Sequence, residues 1–70
     1  MKLSARNVLK GRIVDITRGA VIAHVRLDIG AGNIVTSSIT NDAVDELHLA
    51  VGQEAYAVIK ATSVMIAIDH

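Results

Sequence analysis

The 70-residue sequence predicts a mainly β fold: a small closed or partly closed barrel of five strands, with one short helix before the fourth. Three observations carry this. Apolar and polar residues alternate in several stretches rich in β-branched side chains, glycine-containing punctuation separates those stretches, and a single acid-rich segment has helical spacing.

In chain order, the first strand spans Val8 to Ile16, where Val8, Lys10, Arg12, Val14 and Ile16 alternate, imperfectly, with Leu9, Gly11, Ile13 and Asp15. Thr17-Arg18-Gly19 is expected to turn. Val21, Ala23, Val25, Leu27 and Ile29 then share one face, opposite Ile22, His24, Arg26 and Asp28, which is the clearest strand pattern in the chain. Gly30-Ala31-Gly32-Asn33 signals a hairpin, and Ile34 to Ile39 is the returning strand. Thr40 is a good N-cap for a helix of about two turns, with acids at Asp42, Asp45 and Glu46 and a shared apolar face of Ala43, Val44 and Leu47. A loop from Leu49 to Gln53 leads into a strand at Glu54 to Lys60, and Val64 to Ile68 is the fifth strand. This order fits the OB type of barrel. With no linker, low-complexity stretch or internal repeat, residues 1–70 are expected to form one domain.

A chain this short buries only about 60% of its unfolded surface, yet 51% of its residues are hydrophobic. Part of that apolar surface is expected to be covered by other chains. The absence of cysteine removes disulfides and Cys-based zinc sites, and fits a reducing compartment. No apolar stretch is long enough for a signal peptide or a membrane span, so a cytoplasmic protein without a membrane partner is expected. The net charge is zero but unevenly spread. Residues 1–18 carry Lys2, Arg6, Lys10, Arg12 and Arg18 against Asp15, a balance of +4, and residues 19–70 carry −4. Such asymmetry is either ordinary surface charge or a basic segment that meets an acidic neighbour or an anion.

The residues argue against catalysis. There is no cysteine nucleophile, and His24, His48 and His70 lack metal-ligand spacing. Gly30 and Gly32 lack the helix and lysine of a phosphate loop. A nucleic-acid surface is the natural alternative for an OB barrel, but it would combine a basic groove with stacking aromatics, and Tyr56 is the only aromatic residue. Anion binding fits three local features. In Ser4-Ala5-Arg6-Asn7, a hydroxyl and a guanidinium two residues apart share one side of an extended segment. Lys60-Ala61-Thr62-Ser63 sets an ammonium at a strand end before amides and hydroxyls, and Thr40 opens a helix. Each also has a purely structural reading, as surface charge or helix cap.

Together these strings resemble the molbindin, or Mop, family of molybdate-binding domains. The resemblance rests on Ser4-Ala5-Arg6-Asn7 followed by Lys10-Gly11, on Ile39-Thr40 before Leu47, Leu49 and Gly52, and on Ala57 through Met65. It covers nearly the whole chain in the right order. It implies an OB-like barrel, not an enzyme, assembled as a homo-hexamer (a trimer of dimers) that binds molybdate or tungstate between subunits for intracellular molybdenum storage or homeostasis. No cofactor is implied, and molybdenum would be held only as its oxyanion. The implied contacts are Ser4, Arg6, Lys60 and the amide of Ala61, with Thr40 from a partner subunit. A second class of site nearer a three-fold axis is implied too, and the turn at Gly19 to Ile22 is its candidate place. Two positions depart from the family: Ala43 stands where a serine is common, and His48 where glycine is common. A nucleic-acid-binding module and a purely structural oligomerisation domain are the competing expectations.

Overall fold

A computed structural model describes residues 4–69 of the chain. It contains β1 (Asn7–Arg18), β2 (Ile22–Asp28), β3 (Ile34–Thr40), α1 (Asn41–Glu46), β4 (Glu54–Ile59) and a 3-10 turn at Ala61–Ser63. All pairings are antiparallel and the sheet order is β3-β2-β1-β4. The fold is mainly β and OB-like, with the helix between the third and fourth strands as expected. The fifth strand is a correction. Residues 64–69 form no strand pairing among the described residues, and the sheet has four strands. Alternation of apolar residues reports an extended segment that can be covered; it does not supply a ladder partner within the same chain.

The 12-residue β1 serves two ladders. Asn7 to Arg12 pairs with Ile59 to Glu54 of β4, and Arg12 to Arg18 pairs with Asp28 to Ala23 of β2. The two ladders lie on opposite edges of the strand and overlap only at Arg12. At Gly11 the end of β2 crosses too close for any side chain, because a Cβ there would lie 2.4 Å from the Asp28 carbonyl oxygen and 2.9 Å from Leu27 Cγ. Just beyond, the register shifts between Ile13 and Asp15, a bulge that leaves Val14 as the extra residue. The bulge explains the imperfect alternation in this segment. Before it the inward positions are Leu9, Gly11 and Ile13; after it they include Ile16, which pairs with Val25. Thr17 and Arg18, expected to turn, continue the ladder with β2. The turn sits one step later and is closed by Gly19 N–H donating to the Ile22 carbonyl at 2.8 Å.

Ile13, Ala23, Val25, Leu27 and Val44 are the buried core. Three of them lie on the face of β2 predicted from alternation, whereas Val21, which begins that pattern, is 67% exposed. Val44 is 1% exposed and is the one buried side chain of α1. Its burial contributes about 2 kcal/mol and presses the short helix onto the sheet. At the helix start, Thr40 Oγ1 accepts from Ala43 N at 3.1 Å. At its end, Leu49 N donates to Val44 O and His48 N to Asp45 O, both at 3.1 Å, with His48 in the left-handed region at φ 52°. Of the helix acids, Asp42 lies in the first turn and suits the dipole. Asp45 instead receives Arg18 Nη2 at 2.7 Å and ties the helix to the end of β1.

Gly11→Ala is expected to lower stability by at least about 2 kcal/mol, because backbone must move to admit one methyl group; the midpoint of urea unfolding checks this. His48→Gly should raise stability by about 1 kcal/mol by relieving the left-handed conformation, read as a rise in the same midpoint.

Candidate oxyanion site

The β1–β4 ladder brings the first and last sequence motifs together. Asn7 pairs with Ile59, and Asn7 Nδ2 donates to the Ile59 carbonyl at 3.2 Å. Arg6 precedes this final rung and Lys60 follows it. Ser4-Ala5-Arg6 and Lys60-Ala61 therefore lie at the same end of the sheet, 52 residues apart in the chain where Asn7 meets Ile59. Ser4, Arg6, Lys60 and Ala61 are all exposed. Lys60, expected to end a strand, instead precedes the 3-10 turn, in which Ser63 N donates back to the Lys60 carbonyl at 2.8 Å. Asn7 is the residue that reading by charge and hydroxyl alone passed over. Its side chain donates to the chain that carries Lys60, and its place directly after Arg6 was the available signal.

Three other cations of the basic N-terminal part have partners. Lys10 faces Glu54 at 3.5 Å, Arg12 Nη1 donates to the Gly52 carbonyl at 2.6 Å, and Arg18 holds Asp45. Neither Arg6 nor Lys60 forms an ion pair among the described residues. One guanidinium and one ammonium that form no ion pair among the described residues, at the same strand end as a hydroxyl and an amide, make a set rich in hydrogen-bond donors.

Thr40 lies elsewhere. It pairs with Ile22 of β2, next to the rung that joins Ala23 to Arg18. That is the far end of β1 from Asn7, roughly 35 Å along a straight strand of this length. Within one chain, Thr40 and Arg6 cannot reach a common small ion. Thr40 Oγ1 already accepts the Ala43 amide, so its hydroxyl proton is the group left to donate. Ala43 adds no hydroxyl. At Gly19 to Ile22, the Gly19 amide and the carbonyls of Gly19, Val21 and Ile22 are engaged, the first two carbonyls by Asn41. Asn41 Oδ1 is buried there without a partner among the described residues. Among the histidines, exposed His24 meets the Ser38 hydroxyl at 2.9 Å, and His48 serves the helix end. No group of three or more metal-ligating side chains occurs among the described residues, and no helix there is long and apolar enough to cross a membrane.

Fold and donor arrangement thus define a small OB-like domain with a cationic, hydroxyl-bearing strand end. Comparison with known proteins makes the class specific. Residues 3–66 match the TOBE domain. A probable molybdenum-pterin-binding protein of Haemophilus influenzae is 56% identical over 69 residues, covering 99% of this chain and 100% of its own length. Among solved structures, MopII from Clostridium pasteurianum superposes with a TM-score of 0.88 at 48% identity, covering 96% of this chain and all of its own. A molybdate-binding protein from Sporomusa ovata superposes at 0.90 with 34% identity, covering 97% of this chain and all of its own. The chain belongs to the TOBE-domain family, and within it to the molbindin, or Mop, type.

Thr40→Ala is expected to cost about 1 kcal/mol through loss of the helix cap, with Thr40→Ser close to neutral. Thermal unfolding of the two variants distinguishes them.

Proposed function

We propose that this protein binds molybdate or tungstate between subunits of a homo-oligomer, as a store or buffer for intracellular molybdenum. The observation that carries the reading is the separation of the donors. Ser4, Arg6, Lys60 and the Ala61 amide share one end of the sheet, Thr40 stands at the other, and only two chains can place both groups on one ion. The names of similar proteins, which refer to molybdate or molybdenum-pterin, support the same class of ligand.

The chemistry of the donors suits a tetrahedral dianion. Molybdate offers four acceptor oxygens and, near neutral pH, no proton, so a site made only of N–H and O–H groups satisfies it fully. Phosphate carries a proton that such a site leaves without an acceptor. Sulfate differs mainly in size, and must be rejected by the fixed dimensions of a cleft between packed subunits. Arg6 and Lys60 match the two negative charges, without which burial of the ion would cost several kcal/mol. A hexamer arranged as a trimer of dimers is the assembly this reading favours. The exposure of large apolar residues on the single chain, among them Val21, Leu47 and Val51 at 62–67%, supports association.

Calorimetric titration with molybdate, with sulfate and phosphate as controls, tests the reading. Tight molybdate binding with weak sulfate binding is expected, whereas binding of none of the three would overturn it. Arg6→Ala and Lys60→Ala should each weaken molybdate binding at least about 10-fold, the worth of one charge-assisted hydrogen bond, while the native mass stays unchanged.

A further inference from the structure

We infer that Asn7 is a positioning residue for the oxyanion site: its side-chain amide holds the Arg6 and Lys60 strings at a fixed separation, and so sets both the affinity and the size preference of the site. The inference rests on the binding reading and deepens it.

Asn7 and Ile59 form the last rung of the β1–β4 ladder. Beyond it no rung joins Arg6 to Lys60 among the described residues, and a ladder end is where strands open most readily. One side chain reinforces this end, through the bond from Asn7 Nδ2 to the Ile59 carbonyl at 3.2 Å. The bond is partly buried, so water competes with it less than with an exposed pair. It lies one residue from Arg6 on one strand and one residue from Lys60 on the other.

The turn after β4 carries the constraint onward. Ser63 N donates to the Lys60 carbonyl at 2.8 Å and Val64 N to the Ala61 carbonyl at 3.2 Å. Lys60 and the Ala61 amide therefore move with the end of β4, and Asn7 ties that end to Arg6. Asn7 itself lies on the opposite face. Exposure alternates along this end of the chain, with Ser4 and Arg6 exposed and Ala5 and Asn7 half-buried; Ile59 is half-buried and Lys60 exposed. The Asn7 amide thus sits behind the proposed donors and acts on the ion only through their placement.

With the bond made, the backbone that carries the guanidinium and the ammonium is set before the ion arrives, which reduces the entropy lost on binding. With the bond absent, only part of the population holds the binding-competent arrangement, and the apparent affinity falls by that fraction. Size preference falls as well. Molybdate and sulfate carry the same charge and differ mainly in size, so only donors of fixed spacing tell them apart. An opened strand end has no fixed spacing and adapts to either ion. A bond that merely fastened the fold would instead change stability and leave the preference between the two ions untouched.

Asn7→Leu keeps nearly the shape of the side chain and removes the donor, whereas Asn7→His restores an N–H at the same number of bonds from the backbone. Both are compared with the parent protein and with Ile13→Val, a core change remote from the Asn7–Ile59 rung that lowers stability. Each is titrated with molybdate, alone and in competition with sulfate, at about pH 8, where a free imidazole is mostly neutral. Backbone amide exchange is followed in the same proteins without added oxyanion. In Asn7→Leu, exchange is expected to quicken at residues 57–60 and to stay unchanged in β2 and β3. Its molybdate binding should weaken about 5-fold, the worth of one neutral hydrogen bond, with a smaller preference over sulfate. Asn7→His should recover most of both, and Ile13→Val should match the parent in both. Unchanged affinity and preference in Asn7→Leu would overturn the positioning role. An equal loss in Ile13→Val would overturn it too, because stability alone would then account for the effect, and a loss in Asn7→His as large as in Asn7→Leu would also count against it. A parent protein that binds no oxyanion removes the binding reading together with this inference. A parent that binds molybdate, with an Asn7→Leu variant that binds it equally well and as selectively, removes this inference alone.

Discussion

The structure depends on β1 belonging to two ladders at once. Its first half is held by β4 and its second by β2, with Arg12 in both. The two ladders use opposite edges and divide the strand between them. The close approach of the Asp28 carbonyl at Gly11 and the extra residue at Val14 mark where one ladder hands over to the other, and the bulge adds the local twist that curls the sheet. Everything that positions the proposed site follows. The Arg6 and Lys60 motifs meet because they flank the last rung at one end of β1, and Thr40 is remote because β2 and β3 hold it at the other end.

The charge distribution acquires meaning only within this frame. A zero net charge with a basic first segment looks uninformative in the sequence. Folding sorts the cations into two kinds. Lys10, Arg12 and Arg18 are matched by Glu54, the Gly52 carbonyl and Asp45, and serve to fasten neighbouring elements. These pairs are exposed and individually weak. Arg6, Arg26 and Lys60 have no such acid among the described residues, and of these Arg6 and Lys60 share one strand end. The useful quantity for anion binding is therefore not net charge but which cations remain unmatched after folding, and where the backbone gathers them.

Much of the fold was legible in the residues because single-chain burial dictates it. The buried set Ala23, Val25 and Leu27 follows directly from period-2 alternation, and Thr40 as a cap follows from its hydroxyl and the acid-rich turn after it. The bulge at Val14 was visible only as a fault in a pattern, since alternation alone does not say which residue is the extra one. The Arg18–Asp45 pair was missed because it joins residues 27 apart, a separation that no local periodicity encodes. The candidate site was legible as strings and not as geometry. That Arg6 and Lys60 share an end while Thr40 does not is a property of register. The fifth strand misled for a related reason: alternation marks an extended apolar segment but names no ladder partner for it.

That last point connects size, assembly and binding. Five residues form the buried core among those described, which is little for a 70-residue chain. Meanwhile an apolar groove and an apolar terminal segment remain uncovered on the same molecule. In the proposed assembly, association would cover that surface, where a larger protein would bury it by itself. The Lys60–Ser63 turn joins β4 to the exposed terminal segment, so the proposed ligand groups sit beside uncovered apolar surface. An anion bound there would make contacts available only to the assembled state, and by mass action would stabilise that assembly. Conversely, assembly would fix the positions of long, otherwise mobile Arg6 and Lys60 side chains before the ion arrives, reducing the entropy lost on binding. In the proposed assembly, covering the open barrel and building a rigid cage for a dianion would be one problem, with one solution between copies.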